Sequence, residues 1–162
     1  MYDSELNGQE KGFIELEFGP SWKYIACARS FIQNFLSISL ANKEKADKIA
    51  LASSELLENA VKYGSNDIIK LSIYVVHETE NLVVEVINSA TPEAIKILKN
   101  IYKKIIKGNP IDVYLSQMKE AALRSDGKSQ LGLSRIRCEI GGELSLNIED
   151  SQIKLAITIG RD

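Results

Sequence analysis

The distribution of apolar and polar positions along the chain predicts five strands. Between residues 13 and 18, apolar side chains alternate with two glutamates, which is the pattern of a strand with one face in water. Two β-branched runs flank a polar stretch at residues 77–81, and this arrangement indicates an antiparallel hairpin. Two further strands close the chain. The predicted strands are 13–18, 68–76, 82–86, 143–148 and 152–159.

Apolar residues at intervals of three and four predict five helices between these strands. Ser21 is the expected N-cap of the first helix, and Gly64 stands where the second should end. Thr91 precedes Pro92, the arrangement of an N-cap followed by a proline in the first turn. A glycine pair at 141–142 ends the last helix. The predicted helices are 22–38, 44–63, 92–106, 111–124 and 133–140.

The order of these elements predicts the fold class. Helices grouped between strands, without strict alternation, favour an α+β fold in which helices cover one face of a mixed, mainly antiparallel sheet. The chain has 162 residues, an ordinary size for one domain, so we expect a single domain over residues 1–162. Residues 125–131 are polar and contain glycine, which predicts a loop before the last helix.

Composition limits the functions that such a domain could have. Apolar residues make up 44% and charged residues 26%, as in soluble globular proteins, and the net charge is −2. Without a long basic run, this charge argues against nonspecific binding to nucleic acid or to an anionic membrane. No signal peptide or membrane-spanning run is visible, and Cys27 and Cys138 lack metal or disulfide spacing. We expect a cytoplasmic protein with two buried free thiols and with His77 in a surface turn.

The residues with the clearest chemical meaning lie in the second predicted helix. Glu55 and Asn59 are four positions apart, so both side chains project from one face of that helix. Asn59 could give an oxygen to Mg²⁺, and Glu55 could orient or deprotonate an attacking hydroxyl. From the spacing alone, two ordinary solvated helix residues are the commoner interpretation.

Segment 54–64, with the sequence SELLENAVKYG, resembles the N-box of the ATPase superfamily that joins gyrase, heat-shock chaperones, histidine kinases and MutL. That box has a Glu, an Asn four residues later, then an Ala and a glycine-ended helix. The resemblance covers residues 13–160 and is closest to anti-sigma-factor serine/threonine kinases. It implies a two-layer α/β sandwich of the Bergerat-type ATP-binding fold. It also implies that Asn59 binds Mg²⁺ and that Glu55 is the base.

A glycine-containing loop leads into the last predicted helix. Backbone N–H groups of such a loop, together with the helix N-terminus, favour a phosphate. The spacing is not that of a Walker A loop, because no lysine follows Gly132. The run QLGL at 130–133 resembles the second glycine box of the same superfamily. The resemblance implies that this loop closes over phosphate with Gly127, Lys128, Gln130, Leu131, Gly132 and Leu133.

The first glycine box of the superfamily is degenerate in this chain. Where the family has Asp-x-Gly-x-Gly, with the Asp bound to the adenine amino group, residues 88–92 are NSATP. Asn88 still offers an acceptor and a donor to an adenine edge, and the resemblance places it there. It could equally do no more than end a strand before the helix that Thr91 begins.

Other residues are weaker candidates. Lys62 could approach a phosphate from the end of the second helix, or could only stabilise a helix C-terminus. Arg29 could contact an acidic partner, although an exposed helical arginine is the commoner interpretation. Trp22, Tyr24 and Phe31 are expected in the core or at its rim, since no basic stripe accompanies them.

The resemblance implies a kinase that binds ATP and Mg²⁺ and phosphorylates a serine or threonine of a small STAS-like antagonist protein. It implies that a sigma factor or another response regulator is a second partner, and it allows a homodimer. Neither nucleic acid nor a membrane is expected as a partner. The degenerate first glycine box favours a competing hypothesis, a module that kept the fold and acts by protein–protein contacts alone. The Glu55/Asn59 pair favours the kinase.

Overall fold

The computed structural model describes residues 10–40, 42–125 and 131–160 and places five strands and five helices in them. The strands are β1 (Glu10–Phe18), β2 (Ile69–Val76), β3 (Leu82–Ser89), β4 (Glu143–Glu149) and β5 (Gln152–Ile159). The helices are α1 (Trp22–Ser39), α2 (Lys43–Tyr63), α3 (Pro92–Ile106), α4 (Pro110–Leu123) and α5 (Gly132–Ile140). No helix within these described ranges is long and apolar enough to cross a membrane.

The five strands form one sheet in the order β1-β2-β3-β5-β4, and each neighbouring pair is antiparallel. The register aligns apolar residues in rows: Leu71 lies opposite Val86, and Val86 lies opposite Leu155. All three are buried, which marks the face that the helices cover. The other face carries Glu85 opposite Ser72. The predicted α+β class, with its mainly antiparallel sheet and two layers, is therefore confirmed.

Helix α2 lies at the centre of the helical layer. It contacts α1, α5 and the strands β2, β3 and β5, so it is surrounded on several sides. The buried positions exceed the single predicted stripe, because Ala52, Ser54 and Leu56 are buried as well as Ile49 and Leu57. Side chains on several faces of this helix therefore contact other elements of the fold.

Most predicted boundaries agree with the structure to within a few residues. Helix α3 and strand β5 have the predicted limits, and the side chain of Thr91 caps α3 by accepting a hydrogen bond from the Ala94 amide at 3.2 Å. Strand β3 continues to Ser89, because Ser89 still pairs with Gln152 of β5. His77 is exposed in the turn between β2 and β3, as predicted.

The expectations about α1 are confirmed only in part. Ser21 is the N-cap residue, as predicted, although its side chain makes no capping hydrogen bond with any residue that the structure describes. The thiol of Cys27 is exposed, whereas that of Cys138 on α5 is partly buried. Trp22 and Phe31 are 57% and 47% exposed, so they are not core residues. The reason is that α1 buries one stripe, which consists of Ile25, Ala28, Ile32 and Leu36.

Tyr24 agrees with the expectation of a residue in the core or at its rim. Its side chain is 42% exposed, and its ring contacts Phe18 edge-on, with 6.3 Å between the ring centroids. It therefore lies at the rim of the core, between β1 and α1.

Candidate functional site

Glu55 and Asn59 lie on the face of α2 that meets the beginning of α5. The side-chain nitrogen Nδ2 of Asn59 donates a hydrogen bond to the carbonyl oxygen of Glu55, at 2.7 Å. This bond holds the amide group in place on the helix. The oxygen Oδ1 is then the atom of Asn59 that could bind a metal ion.

The first residue of α5, Gly132, lies against both of these side chains. A β-carbon added to Gly132 would overlap Oε2 of Glu55 and would lie 3.7 Å from Nδ2 of Asn59. A side chain at this position would therefore displace the end of the Glu55 side chain. The contact brings a carboxylate, an amide and the N-terminus of a helix together at one place.

The charge of Glu55 is partly shielded from water and partly compensated. Its side chain is 13% exposed, and Oε1 lies 3.5 Å from Nη1 of Arg135. Burial, and then repulsion by Glu58, raises the pKa of the Glu55 carboxyl above its usual range, while Arg135 and Arg29 act in the opposite direction. A carboxylate with a higher pKa is a stronger base, so the direction of this shift suits a general base.

A small cavity separates α2 from β3, β5 and α3. It is lined by two amide side chains, Asn59 and Asn88, and otherwise mostly by apolar residues. The lining residues are Leu56, Asn59, Ala60, Tyr63, Val86, Asn88, Leu98, Ile153 and Leu155. The space suits about one water molecule. The mostly apolar lining with two amide groups is chemically suited to a flat, partly polar ring such as a purine. The cavity is too small to hold a purine in this conformation.

Asn88 is 5% exposed and is held at the end of β3. Its Nδ2 donates to the carbonyl oxygen of Ser89, at 3.1 Å. The end of α2 approaches closely, because a β-carbon on Gly64 would lie 3.0 Å from Nδ2 of Asn88. The amide nitrogen is thus engaged in a local contact. Asn88 and Asn59 nevertheless line the same cavity, although they come from different elements.

The remaining predicted residues are more dispersed. Lys62 is exposed, with its Nζ 5.2 Å from the centre of the Tyr63 ring. Leu131 is the N-cap residue of α5, and its carbonyl oxygen accepts from the hydroxyl of Ser134 at 2.9 Å. Leu133 is 2% exposed, so its side chain belongs to the core. Three predicted residues lie outside the described part of the chain: Gly127, Lys128 and Gln130.

Two residues at this site were not predicted. Arg135 reaches Glu55 from α5, and Tyr63 lines the cavity at the end of α2. The pairing of Arg135 with Glu55 joins residues 80 positions apart, and no periodic pattern links them. The position of Tyr63 on the face of Asn59, four residues later in the same helix, was a usable signal.

Comparison with known proteins identifies the fold. One chain in the crystal structure of the SiaB-SiaC complex from Pseudomonas aeruginosa superposes with a TM-score of 0.71. The match covers 91% of this chain and 89% of that chain, with 18% sequence identity. At this identity, the likeness shows a shared fold. No protein-family model matches the sequence, and a search of curated proteins finds no match.

Proposed function

We propose that this chain is a regulatory, ATP-binding protein kinase of the partner-switching type. It would transfer the γ-phosphate of ATP to a serine or threonine of a small antagonist protein. The observation that carries this proposal is the convergence of Glu55 and Asn59 on the first turn of α5 at Gly132. A carboxylate, an amide oxygen and helix N–H groups are the kinds of group that phosphoryl transfer requires.

Each residue has a role in this proposal. Asn59 would give Oδ1 to Mg²⁺, and the N-terminus of α5 would face phosphate. ATP would supply the phosphoryl group and leave as ADP. The attacking hydroxyl oxygen would form the new bond to phosphorus, and its proton would pass to Glu55. Positioning and charge neutralisation account for most of the catalysis of such reactions, so few groups are needed.

The two ends of the site fit ATP unequally. The polar end, at Asn59 and Gly132, has groups suited to Mg²⁺ and phosphate. The apolar end is lined by side chains that could contact the faces of a base. Leu98 of α3 and the lining residues of α2, β3 and β5 nevertheless leave space for only about one water molecule. Binding of a base therefore requires this cavity to widen. Because Asn88 replaces the aspartate of the family, we expect weak discrimination between bases.

A second candidate function is that of a binding module without ATP chemistry. The small cavity and the bond between Asn88 and the Ser89 carbonyl favour it. Exposed apolar side chains on α4 provide a contact surface for a protein: Ile111, Leu115 and Met118 are each at least 45% exposed. In this alternative the fold is kept and regulation depends on protein contacts alone.

The proposed partners follow from the same reasoning. The solved chain of similar fold comes from a complex of two proteins, SiaB and SiaC, which supports a protein as the partner of this chain. We propose a STAS-like antagonist and a sigma factor or other response regulator as the partners, in the cytoplasm. A homodimer is compatible with this arrangement.

The proposal is tested by titrating the purified protein with ATP in a calorimeter, with and without Mg²⁺. We expect binding that Mg²⁺ strengthens, together with slow formation of ADP. Glu55→Gln should bind ATP with similar affinity and lose about 10²–10⁴-fold in turnover. Glu44→Gln removes an exposed carboxylate of the same helix and should leave turnover unchanged. Absence of ATP binding by the parent would reject the kinase and favour the binding module.

A further inference from the structure

We infer that Arg135 is a positioning residue for the proposed reaction, and that with Gly132 it holds the Glu55 carboxylate at the N-terminus of α5. This inference rests on the proposed function, because Glu55 is the base in that proposal. It assigns to α5 a second role in addition to facing phosphate, because residues of this helix determine the position of the Glu55 carboxylate.

The two oxygens of the Glu55 carboxylate are fixed by two residues of the same helix. Oε1 lies 3.5 Å from Nη1 of Arg135, and Oε2 occupies the space that a β-carbon on Gly132 would need. Gly132 and Arg135 are three positions apart, so they are neighbours on one face of α5. These two contacts place the carboxylate between the side chain of Arg135 and the backbone of Gly132.

Arg135 is itself held by a second carboxylate. Its Nε lies 3.2 Å from Oε1 of Glu139, one turn later in α5. The guanidinium therefore joins Glu139 to Glu55 through two different nitrogen atoms. The planar guanidinium presents its N–H donors in fixed directions from different nitrogen atoms, and a lysine ammonium on a flexible stem would not reproduce this geometry.

Helix α5 is a firm support for this arrangement. Leu133 and Ile136 anchor it in the core, with 2% and 0% exposure. On the side toward α3, Arg137 donates from Nη1 to the carbonyl oxygen of Ile105 at 2.7 Å and from Nη2 to that of Gly108 at 3.0 Å. The two arginines thus have different tasks: Arg137 ties α5 to the end of α3, and Arg135 reaches the base on α2.

An ordinary surface ion pair is the alternative explanation. Arg135 is 41% exposed, and ion pairs of such exposure contribute little to stability. A melting temperature therefore cannot distinguish the two explanations. The distinguishing property is the effect on turnover at constant ATP affinity, since a positioning residue acts on the geometry of reaction and not on the binding of the nucleotide.

The experiment compares four variants in ATP turnover and ATP binding. Arg135→Gln should lower kcat by about 10²-fold and change the ATP Kd by less than about 3-fold, because a displaced base loses alignment. Arg135→Lys should recover only part of this loss, and Glu139→Gln should give an intermediate loss. Arg137→Gln is the matched control on the same helix, and it should lower the melting temperature while kcat is kept.

A combined variant tests whether Arg135 acts through Glu55. If it does, Glu55→Gln with Arg135→Gln should be no slower than Glu55→Gln alone. Losses that multiply, or an unchanged kcat in Arg135→Gln, would overturn the inference. Absence of ATP binding by the parent protein rejects the proposed function itself, and if the parent binds ATP without turning it over, crystal structures of the parent and Arg135→Gln decide the positioning. A displaced Glu55 carboxylate in the variant supports it, and an unmoved carboxylate overturns it.

Discussion

Glu55 and Gly132 are in contact across the interface of α2 and α5, where Oε2 of the carboxylate fills the space that a β-carbon at residue 132 would need. The contact joins a side chain from the middle of one helix to the first residue of another. A side chain at residue 132 would therefore move the Glu55 carboxylate, independently of any contact with a phosphate. The effects of substitutions at this interface can therefore be separated into effects on stability and effects on chemistry.

The first prediction concerns Gly132→Ala. The added methyl group must displace the flexible end of Glu55, whereas alanine improves helix propensity by up to about 1 kcal/mol. We expect an unchanged or slightly raised melting temperature together with a large loss of ATP turnover. Gly19→Ala is the control, because a β-carbon there has no described atom within 4 Å. Normal turnover in Gly132→Ala would show that the position of Glu55 is unimportant.

The second prediction concerns the pH dependence of stability. The folded state raises the pKa of Glu55, chiefly through burial, so the ionised carboxylate is less favourable there than in the unfolded chain. This loss of stability is absent at low pH and develops as the pH rises from the unfolded pKa through the raised folded pKa. Glu55→Gln should therefore be more stable than the parent at pH 7, with a difference that shrinks toward pH 4. Urea denaturation at several pH values measures it, and a pH-independent difference would contradict the assignment.

The third prediction concerns Mg²⁺. If Asn59 gives Oδ1 to the ion, Asn59→Ala should remove the part of the ATP affinity that depends on Mg²⁺ and should leave the affinity without Mg²⁺ nearly unchanged. Calorimetric titration at several Mg²⁺ concentrations measures both. The same Mg²⁺ dependence in the variant and the parent would exclude Asn59 as a ligand.

The fourth prediction concerns base recognition by Asn88. Asn88→Asp should improve ATP binding by about 1 kcal/mol and should select ATP over GTP, because an ionised acceptor binds the adenine amino group more strongly. The parent should distinguish the two nucleotides poorly. The variant should also be less stable, because the Ser89 carbonyl loses its donor. Asn147→Asp, on an exposed position of β4, is the control for the added charge.

Three outcomes of this titration are informative. Tighter, ATP-selective binding by Asn88→Asp supports an adenine site at the end of β3. Weaker ATP binding by the variant would mean that the amide nitrogen of Asn88 contacts the nucleotide. If neither protein binds either nucleotide, the binding module is the better description.

The fifth prediction concerns the cavity between α2 and α3. Leu98 lines it and is 2% exposed, so Leu98→Ala should enlarge it and destabilise the fold by about 2–5 kcal/mol. If the cavity is the base site, this variant should bind ATP more tightly than the parent. Ile101→Ala is the matched control, since Ile101 is buried on the same helix without lining the cavity. Equal ATP affinity in both variants would place the base elsewhere.

The sequence by itself determined those features that depend on neighbouring residues. The start of α3 follows from Thr91 and Pro92, and strand β5 has the limits that its apolar run predicts. The shared face of Glu55 and Asn59 follows from helix geometry alone. Local hydrogen bonds and periodic burial depend on residues that are close together in the sequence. These predictions are therefore confirmed by the structure or compatible with it.

Only the tertiary structure decided which residues meet. The contacts of Glu55 with Gly132 and Arg135, and the cavity that Asn59 shares with Asn88, join distant parts of the chain. The exposure of Cys27 likewise depends on which side of α1 packs against α2. Such contacts arise from the packing of whole elements, where many side chains together set the approach of two helices. No single pair of residues determines how two helices approach each other. The contacts between helices therefore cannot be predicted from the pattern of residues along the chain.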